Sequence, residues 1–477
     1  MGERCRFYVD VIAQHSEVTG SLFLLVIRLP GDKNVIKGVI DCGIFQERKY
    51  EELNQKFNFN ARNVSFVLLT HAHMDHIGRV PKMVKEGYTG YIFATEDTCR
   101  LLPDALTNGL KVLKKNAKLR HQQNLVIYDE KHIEETVKRT CPLEYLKEYQ
   151  IHENVKVTFL PNGHLVGAAM IYVDIYDYEN NHIHLLFTGD YNNKNIFLEG
   201  HEIPEEILQK PINIITESTY GGTSTGDEDE KGKFEKAISA AVSANKKIIV
   251  PAFALGRSQE VLYTLKSMQD NHKLPVSIPI YLDGTLAMQY TELYQNGLSD
   301  IKHEMLEFLP KNFLCVTSEK MRSGLLTDDK CKIIVTTSGM GKHGPARFYI
   351  PNVLENKKAL IHFTGYCAEG TYGRILKETI EEEEIMLGGL LLTKKADVEF
   401  TSEFSSHAKA DEILNLIKKF EKPLSVIVNH GAEETKKEFA LKIRRNIKTK
   451  KIGIIDAETI FRIGQYGIVK TISIFDK

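Results

Sequence analysis

The sequence has no C-x-x-C pair, no internal repeat, no Pro-rich linker and no low-complexity tract. Its seven cysteines, Cys5, Cys42, Cys99, Cys141, Cys315, Cys331 and Cys367, are odd in number and scattered. That pattern fits neither a disulfide framework nor a thiolate zinc site, so they read as reduced core or surface thiols. The longest strongly apolar runs, such as LFLLVI at 22–27, are strand-sized and far too short to cross a membrane. The opening MGERCRFYVDVIAQH resembles neither a transit segment nor a signal peptide, and Arg6 breaks the myristoylation pattern that Gly2 would begin. A cytoplasmic protein is expected. A basic excess is missing too: 62 Lys and Arg stand against 63 Asp and Glu, a net charge of −1, so any polyanion site must be local.

What is present is an ordinary globular composition, 42% hydrophobic and 26% charged, over 477 residues, enough for two or three cores. The first half alternates short β-rich segments with turns: SLFLLVIRL, NVIKGVIDCG, VSFVLLTHAH, GYIFAT, VKVTFLPNGH, AAMIYVDIYD and HIHLLFTGDY. Several of these strands end in His or Asp. From Asn213 the texture becomes strand then helix, as in INIITESTYGG, KGKFEKAISAAVSAN and KKIIVPAFALGRSQEVLYTLKSM, which predicts an α/β region with a parallel sheet. After an acidic run, ETIEEEE at 378–384, which reads as a solvated helix end or loop, DVEFTSEFSSHAKADEILNLIKKF and LSVIVNHGAEETKKEFALKI again give strand, His-bearing turn and helix. The expected organisation is residues 1–212 and 394–477 as two parts of one domain, with 213–393 inserted between them.

The chemistry concentrates in LLTHAHMDHIG, where His71, His73, Asp75 and His76 crowd a turn directly after a strand. Imidazole and carboxylate donors without thiolate suit a catalytic zinc-type site that keeps a position open for water. H-x-H-x-D-H lacks the helical spacing of H-E-x-x-H, and it holds more ligands than one zinc needs, so a metal pair is the economical reading. A coincidental His-rich turn is the plain alternative. Further donors at strand ends weigh against it: His164 in LPNGHLVGAA, Asp190 in LLFTGDY and His430 in SVIVNHGAE.

With these residues in order, the chain resembles the metallo-β-lactamase superfamily, and within it the β-CASP nucleases that include the RNA-cleaving subunit of the eukaryotic 3′-end processing complex and its bacterial and archaeal relatives. The resemblance runs from HSEVTGS at His15 to VNHGAEE at Glu434. It carries Asp41 in VIDCG, HAHMDH, His164 and Asp190, then Glu217 in TESTYGG, His407 in SSHAKAD and His430. The implied fold is an αββα metallo-β-lactamase sandwich with an inserted α/β β-CASP domain. The implied cofactor is two Zn2+ ions, one held by His71, His73 and His164, the other by Asp75, His76 and His430, with Asp190 bridging. Asp41 would be a nearby carboxylate bonded to a ligand His or to the shared hydroxide. His407 matches the proposed general acid, and Glu217 the carboxylate that keeps it cationic and aimed. The implied reaction is in-line hydrolysis of an RNA phosphodiester by a hydroxide that two metals activate.

Two departures stand out. Lys409 occupies the place where the family usually has Asp, and GTSTGDEDEKGK replaces an Arg and His that commonly follow ESTYG. By the resemblance the inserted domain would receive a single strand of RNA through Arg257, Ser338, Gly339, His343, Gly344 and Arg374; for the glycines, tight turns are an equal explanation. The Lys-rich 111–123 reads as a helix with a solvated basic face. No separate RNA-binding module is evident, so accessory binding would come from partners or a homodimer. A DNA nuclease of the same superfamily and a catalytically silent scaffold subunit are the alternatives; His430 favours RNA, and the complete ligand set favours an enzyme.

Overall fold

The computed structural model describes residues 7–14, 17–223, 232–341, 343–365, 367–449, 451–456 and 459–473. The chain divides into two compact units, Met1–Thr225 with His407–Lys477, and Gly226–Ser406.

The first unit is built on two sheets. One runs Gly467–Ser473, Thr459–Gly464, Tyr8–Ala13, Phe23–Arg28, Ile36–Ile40, Phe66–Leu68, Ile92–Thr95, Thr140–Leu143. The other runs Ile452–Ile454, Lys422–Val428, Pro211–Thr216, His182–Phe187, Ala169–Tyr176, Val155–Pro161, Glu148–His152. Because side chains alternate along a strand, each sheet has two apolar faces to bury. Phe66 and Leu68 join Phe159, Ile171, Val173, Leu185 and Phe187 in the core between the sheets. Val67 and Leu69 face the other way, against Leu102, Leu106 and Leu110 of the helix Glu96–Arg120. On the second sheet Met170, Tyr172 and Leu186 turn outward to Ile413, Ile417, Phe439 and Ile443 of the helices Ala410–Lys419 and Glu433–Asn446. Helix, sheet, sheet and helix are therefore layered around one dry centre, the αββα sandwich.

In the second unit six strands pair in parallel throughout, in the order Phe313–Cys315, Ile280–Asp283, Lys332–Thr336, Lys247–Pro251, Ala359–Phe363, Asp397–Phe400. KIIVP, KIIVT and ALIHF are buried along their whole length, as expected of central strands covered on both faces.

The unit boundaries differ from the expected 212/213 and 393/394. Pro211–Thr216 pairs with His182–Phe187 and Lys422–Val428, so it completes the first unit's sheet. Asp397–Phe400 pairs with Ala359–Phe363 and belongs to the second unit. The GTSTGDEDEKGK stretch after ESTYG falls largely on 224–231, outside the described residues. The Lys-rich stretch lies on the helix Glu96–Arg120, where Lys114 pairs with Glu130 and Arg120 with Glu51. No helix among the described residues is long and apolar enough to cross a membrane.

Candidate metal centre

Ile36–Ile40 runs parallel to Phe66–Leu68, and His182–Phe187, Pro211–Thr216 and Lys422–Val428 are mutually parallel. Parallel neighbours end on the same side, so the residues following them meet at one end of the sandwich. Asp41 follows the first of these strands, His71 to His76 the second, Asp190 the third, Glu217 the fourth and His430 the fifth; His164 follows Val155–Pro161. Asp41 and His430 turn sharply with φ of 56° and 50°, conformations a non-glycine residue adopts at a cost. Gly43 lets the 73–77 turn lie against the backbone: a Cβ there would sit 1.4 Å from the Asp75 carbonyl oxygen, while Cys42 and Ile44 donate to the carbonyls of His76 and Met74.

Asp190 is the hub. Its Oδ1 lies 3.4 Å from His76 Nε2 and 3.5 Å from His430 Nε2, and its Oδ2 lies 3.5 Å from His71 Nε2 and 3.6 Å from His164 Nε2. His164 Nε2 faces His73 Nδ1 at 3.2 Å. Donor atoms of His71, His73, His164 and Asp190 form one close group, and those of Asp75, His76 and His430 another. The Nε2 atoms of His71, His76 and His430 and Oδ1 of Asp190 are buried with no hydrogen-bond partner. Buried polar atoms are rarely left so, and four that converge on one another fit cations between them.

The far side of each ring fixes its tautomer. Thr70 donates its N–H and its hydroxyl to the two oxygens of Asp41, each at 2.8 Å, so its oxygen accepts from His71 Nδ1 at 2.9 Å. His76 Nδ1 donates to Asp41 Oδ2 at 2.7 Å, and His430 Nδ1 to the Thr219 hydroxyl at 3.0 Å. All three rings thereby carry hydrogen on Nδ1 and offer Nε2 as a lone pair, the arrangement that partners of ligating histidines impose. Asp41 thus touches a clustered His, one of the two contacts expected of it. Thr70 and Thr219 did not emerge from sequence reasoning. Each sits within two residues of a motif residue, and asking what satisfies each Nδ1 would have pointed to them.

Burial pushes the His71 imidazole well below its ordinary pKa, and the neighbouring imidazoles add to that. Burial works in the same sense on His76, but Asp190 and Asp41 outweigh it and hold this ring well above 6.5. Burial would raise Asp190, yet His430, His76 and His407 keep its carboxyl well below the usual range.

His407 stands at the rim, with Nδ1 2.9 Å from Glu217 Oε2 and Nε2 4.0 Å from Asp190 Oδ2. Glu217 is itself anchored, since its other oxygen accepts from the backbone N–H of Tyr191. Burial lowers the His407 pKa, but the Glu217 and Asp190 carboxylates overcome it and lift the value to about 9. Lys409 does not misplace this ring: its backbone N–H donates to Glu412, opening the helix Ala410–Lys419, and the Ala408 N–H donates to the Tyr191 carbonyl.

The residues expected to contact substrate lie in the second unit. Arg257 is buried, with its guanidinium donating to the Thr364 carbonyl and lying 5.9 Å from the centre of the Phe253 ring. The Ser338 N–H donates to the His343 carbonyl and the His343 N–H to the Ser338 hydroxyl, each at 3.1 Å, and Gly344 follows with φ of 66°. Gly339 packs on Phe253, and Arg374 pairs with Glu378 one helical turn away.

Three family models match the chain: the metallo-beta-lactamase superfamily over residues 20–143, the Beta-Casp domain over 258–376, and the Zn-dependent metallo-hydrolase RNA specificity domain over 392–455. The chain belongs to the β-CASP family of the metallo-β-lactamase superfamily. Membership puts it among metal-dependent hydrolases. It is 30% identical over 420 residues to the RNase J-like protein of Methanocaldococcus jannaschii, covering 86% of this chain and 90% of that one. It is 28% identical to Ribonuclease TTHA0252 of Thermus thermophilus, covering 88% and 91%, and 27% identical to transcription termination factor FttA of Methanosarcina mazei, covering 88% and 67%. The chain therefore spans about two thirds of the termination factor and nearly all of the two others.

Proposed function

We propose that this protein is a two-zinc ribonuclease that hydrolyses single-stranded RNA, with His407 as general acid. The observation that carries the reading is the convergence of four partnerless buried atoms, on His71, His76, His430 and Asp190, beside a separate His–Glu pair. His71, His73 and His164 would hold one ion, Asp75, His76 and His430 the other, and Asp190, with one oxygen toward each group, would be shared. Zinc bound there supplies a water acidic enough to attack at neutral pH and charge to offset that of the phosphate.

The chain's own residues do the rest. Asp41, through Thr70 and His76, and Thr219, through His430, hold the ligand rings in one tautomer and orientation. Glu217 holds the His407 imidazole cationic and turns Nε2 toward the centre, where it can give a proton to the departing ribose oxygen. With a pKa near 9 that proton is present at neutral pH. RNA as substrate is supported by the RNA-specificity model over 392–455 and by the names of the two ribonuclease relatives. Arg374 and His343, with the amides around Gly339 and Gly344, are proposed phosphate contacts; Arg257 and Ser338 would support that loop and strand from behind.

The test is cleavage of an end-labelled single strand, as RNA and as DNA of the same sequence, by metal-stripped and zinc-restored protein. Cleavage of RNA that returns only with zinc is the expected result. Cleavage unaffected by chelation, or cleavage of DNA in preference to RNA, would overturn the reading.

A further inference from the structure

A second cluster of metal-type donors lies on the outer face of the seven-stranded sheet, among residues the catalytic site does not use. His182 and His184 stand two apart on the strand His182–Phe187, so both project from one face, and His184 is directly opposite Asp174 on the antiparallel strand Ala169–Tyr176. Cross-strand partners bring their Cβ atoms to about 5 Å, so two strands fix all three side chains without help from a loop. The Nδ1 atoms of His182 and His184 both turn to the same oxygen, Asp174 Oδ1, at 2.8 and 3.3 Å, and the Tyr172 hydroxyl reaches His184 Nδ1 at 2.9 Å. The two rings are nearly parallel, 20° apart.

This is more than an ordinary Asp–His bond. His184 Nδ1 has one hydrogen or one lone pair and faces two oxygens, while a single carboxylate oxygen faces two ring nitrogens. The donor atoms of all three residues lie within 4.8 Å of one another, close enough to share one central partner. Lys156, opposite Asp174 in the next strand, is paired with Glu148 at 2.7 Å. His182 is one-third exposed, which leaves an open side for entry and for water.

We infer that Asp174, His182 and His184 form a third, separate site for a divalent transition-metal ion, with the Tyr172 hydroxyl bordering it. Two imidazoles and one carboxylate select a borderline ion such as Zn2+ over Mg2+ or Ca2+, which prefer all-oxygen shells. His182 and His184 lie at the start of the strand His182–Phe187 whereas Asp190 follows its other end, and the donors grouped with Asp190 include none of this cluster. An ion there cross-links the two strands next to their turn at 177–181.

The experiment is equilibrium dialysis of the full chain against Zn2+ alone, with metal per chain measured for the native protein, His182→Ala and Asp174→Asn. His182 is exposed enough for alanine to be tolerated, and Asn preserves the shape of Asp174. Both variants should bind one ion per chain fewer than the native protein, while RNA cleavage at saturating zinc is unchanged. Equal metal content in all three proteins overturns the proposal. So does a loss of more than one ion, or of cleavage, since the cluster would then be a structural support of the catalytic centre. Because the result is a difference between proteins, it holds whether the catalytic centre takes one ion or two, and whatever its substrate.

Discussion

Replacing Glu217 by Gln separates orientation of the proposed general acid, His407, from its charge. The Glu217 carboxylate is 2.9 Å from His407 Nδ1 and is the largest influence raising that imidazole to about 9. Opposite charges about 4 Å apart interact by on the order of 4 kcal/mol at an effective dielectric near 20, which is enough to change the protonation state of the ring at neutral pH. Gln can still accept a hydrogen bond from Nδ1, so the ring keeps its place. The sign follows directly. The acid form exists below the pKa, so native activity should persist toward pH 9 and fall above it; without the Glu217 carboxylate, less opposes burial and the alkaline limb moves to lower pH. Cations in the centre would lower both values, so the shift between the two proteins is the predicted quantity. Single-turnover cleavage from pH 5.5 to 9.5 measures it. His407→Ala should lose the limb altogether and slow cleavage about 10²–10⁴-fold, equivalent to roughly 3–5 kcal/mol of barrier. An alkaline limb unmoved in Glu217→Gln, with His407→Ala cleaving at the native rate, would refute the assignment.

Three further outcomes are expected. His430→Ala removes a proposed ligand rather than the acid, so metal content measured by elemental analysis should fall together with the rate and be partly restored by excess zinc, whereas His407→Ala should keep its metal. Phe159→Ala empties a fully buried position between the two sheets of the first unit and should destabilise it by about 3–5 kcal/mol in denaturant unfolding, with an unchanged rate in the fraction that remains folded. Arg374→Ala should weaken RNA binding in a filter or anisotropy assay without loss of metal, and the salt dependence of native binding should be modest, because a chain of net charge −1 neutralises few phosphates.

The proposed ligands were legible in the sequence because their signal is local: His164, Asp190 and His430 each come two or three residues after an apolar strand, and HAHMDH compresses four more into one turn. The second unit's sheet was legible for a similar reason, since KKIIVPAFALGRSQEVLYTLKSM gives an apolar strand followed at once by a helix. The unit boundaries were harder to read. PINIIT is apolar whichever sheet it joins, and its partners His182–Phe187 and Lys422–Val428 are remote in sequence. The supporting shell was equally hidden. A single threonine has no periodicity, so Thr70 and Thr219 acquire meaning only once Nδ1 of His71 and His430 are seen against them. The left-handed turns at Asp41 and His430 leave no trace either, because neither residue is glycine. Arg257 was read as a phosphate contact, but its guanidinium is turned inward to the Thr364 carbonyl, a partner set by sheet packing.

The central claim, that two ions shared by Asp190 activate the attack on RNA, is tested most directly by titrating zinc into metal-free protein while following single-turnover cleavage of a labelled RNA strand. The His182→Ala protein is the one to use, so that ions bound at the outer cluster do not enter the count. The account predicts little cleavage at one equivalent and a rise that levels off at two ions per chain. A plateau at one equivalent, or full cleavage by the metal-free protein, would contradict it.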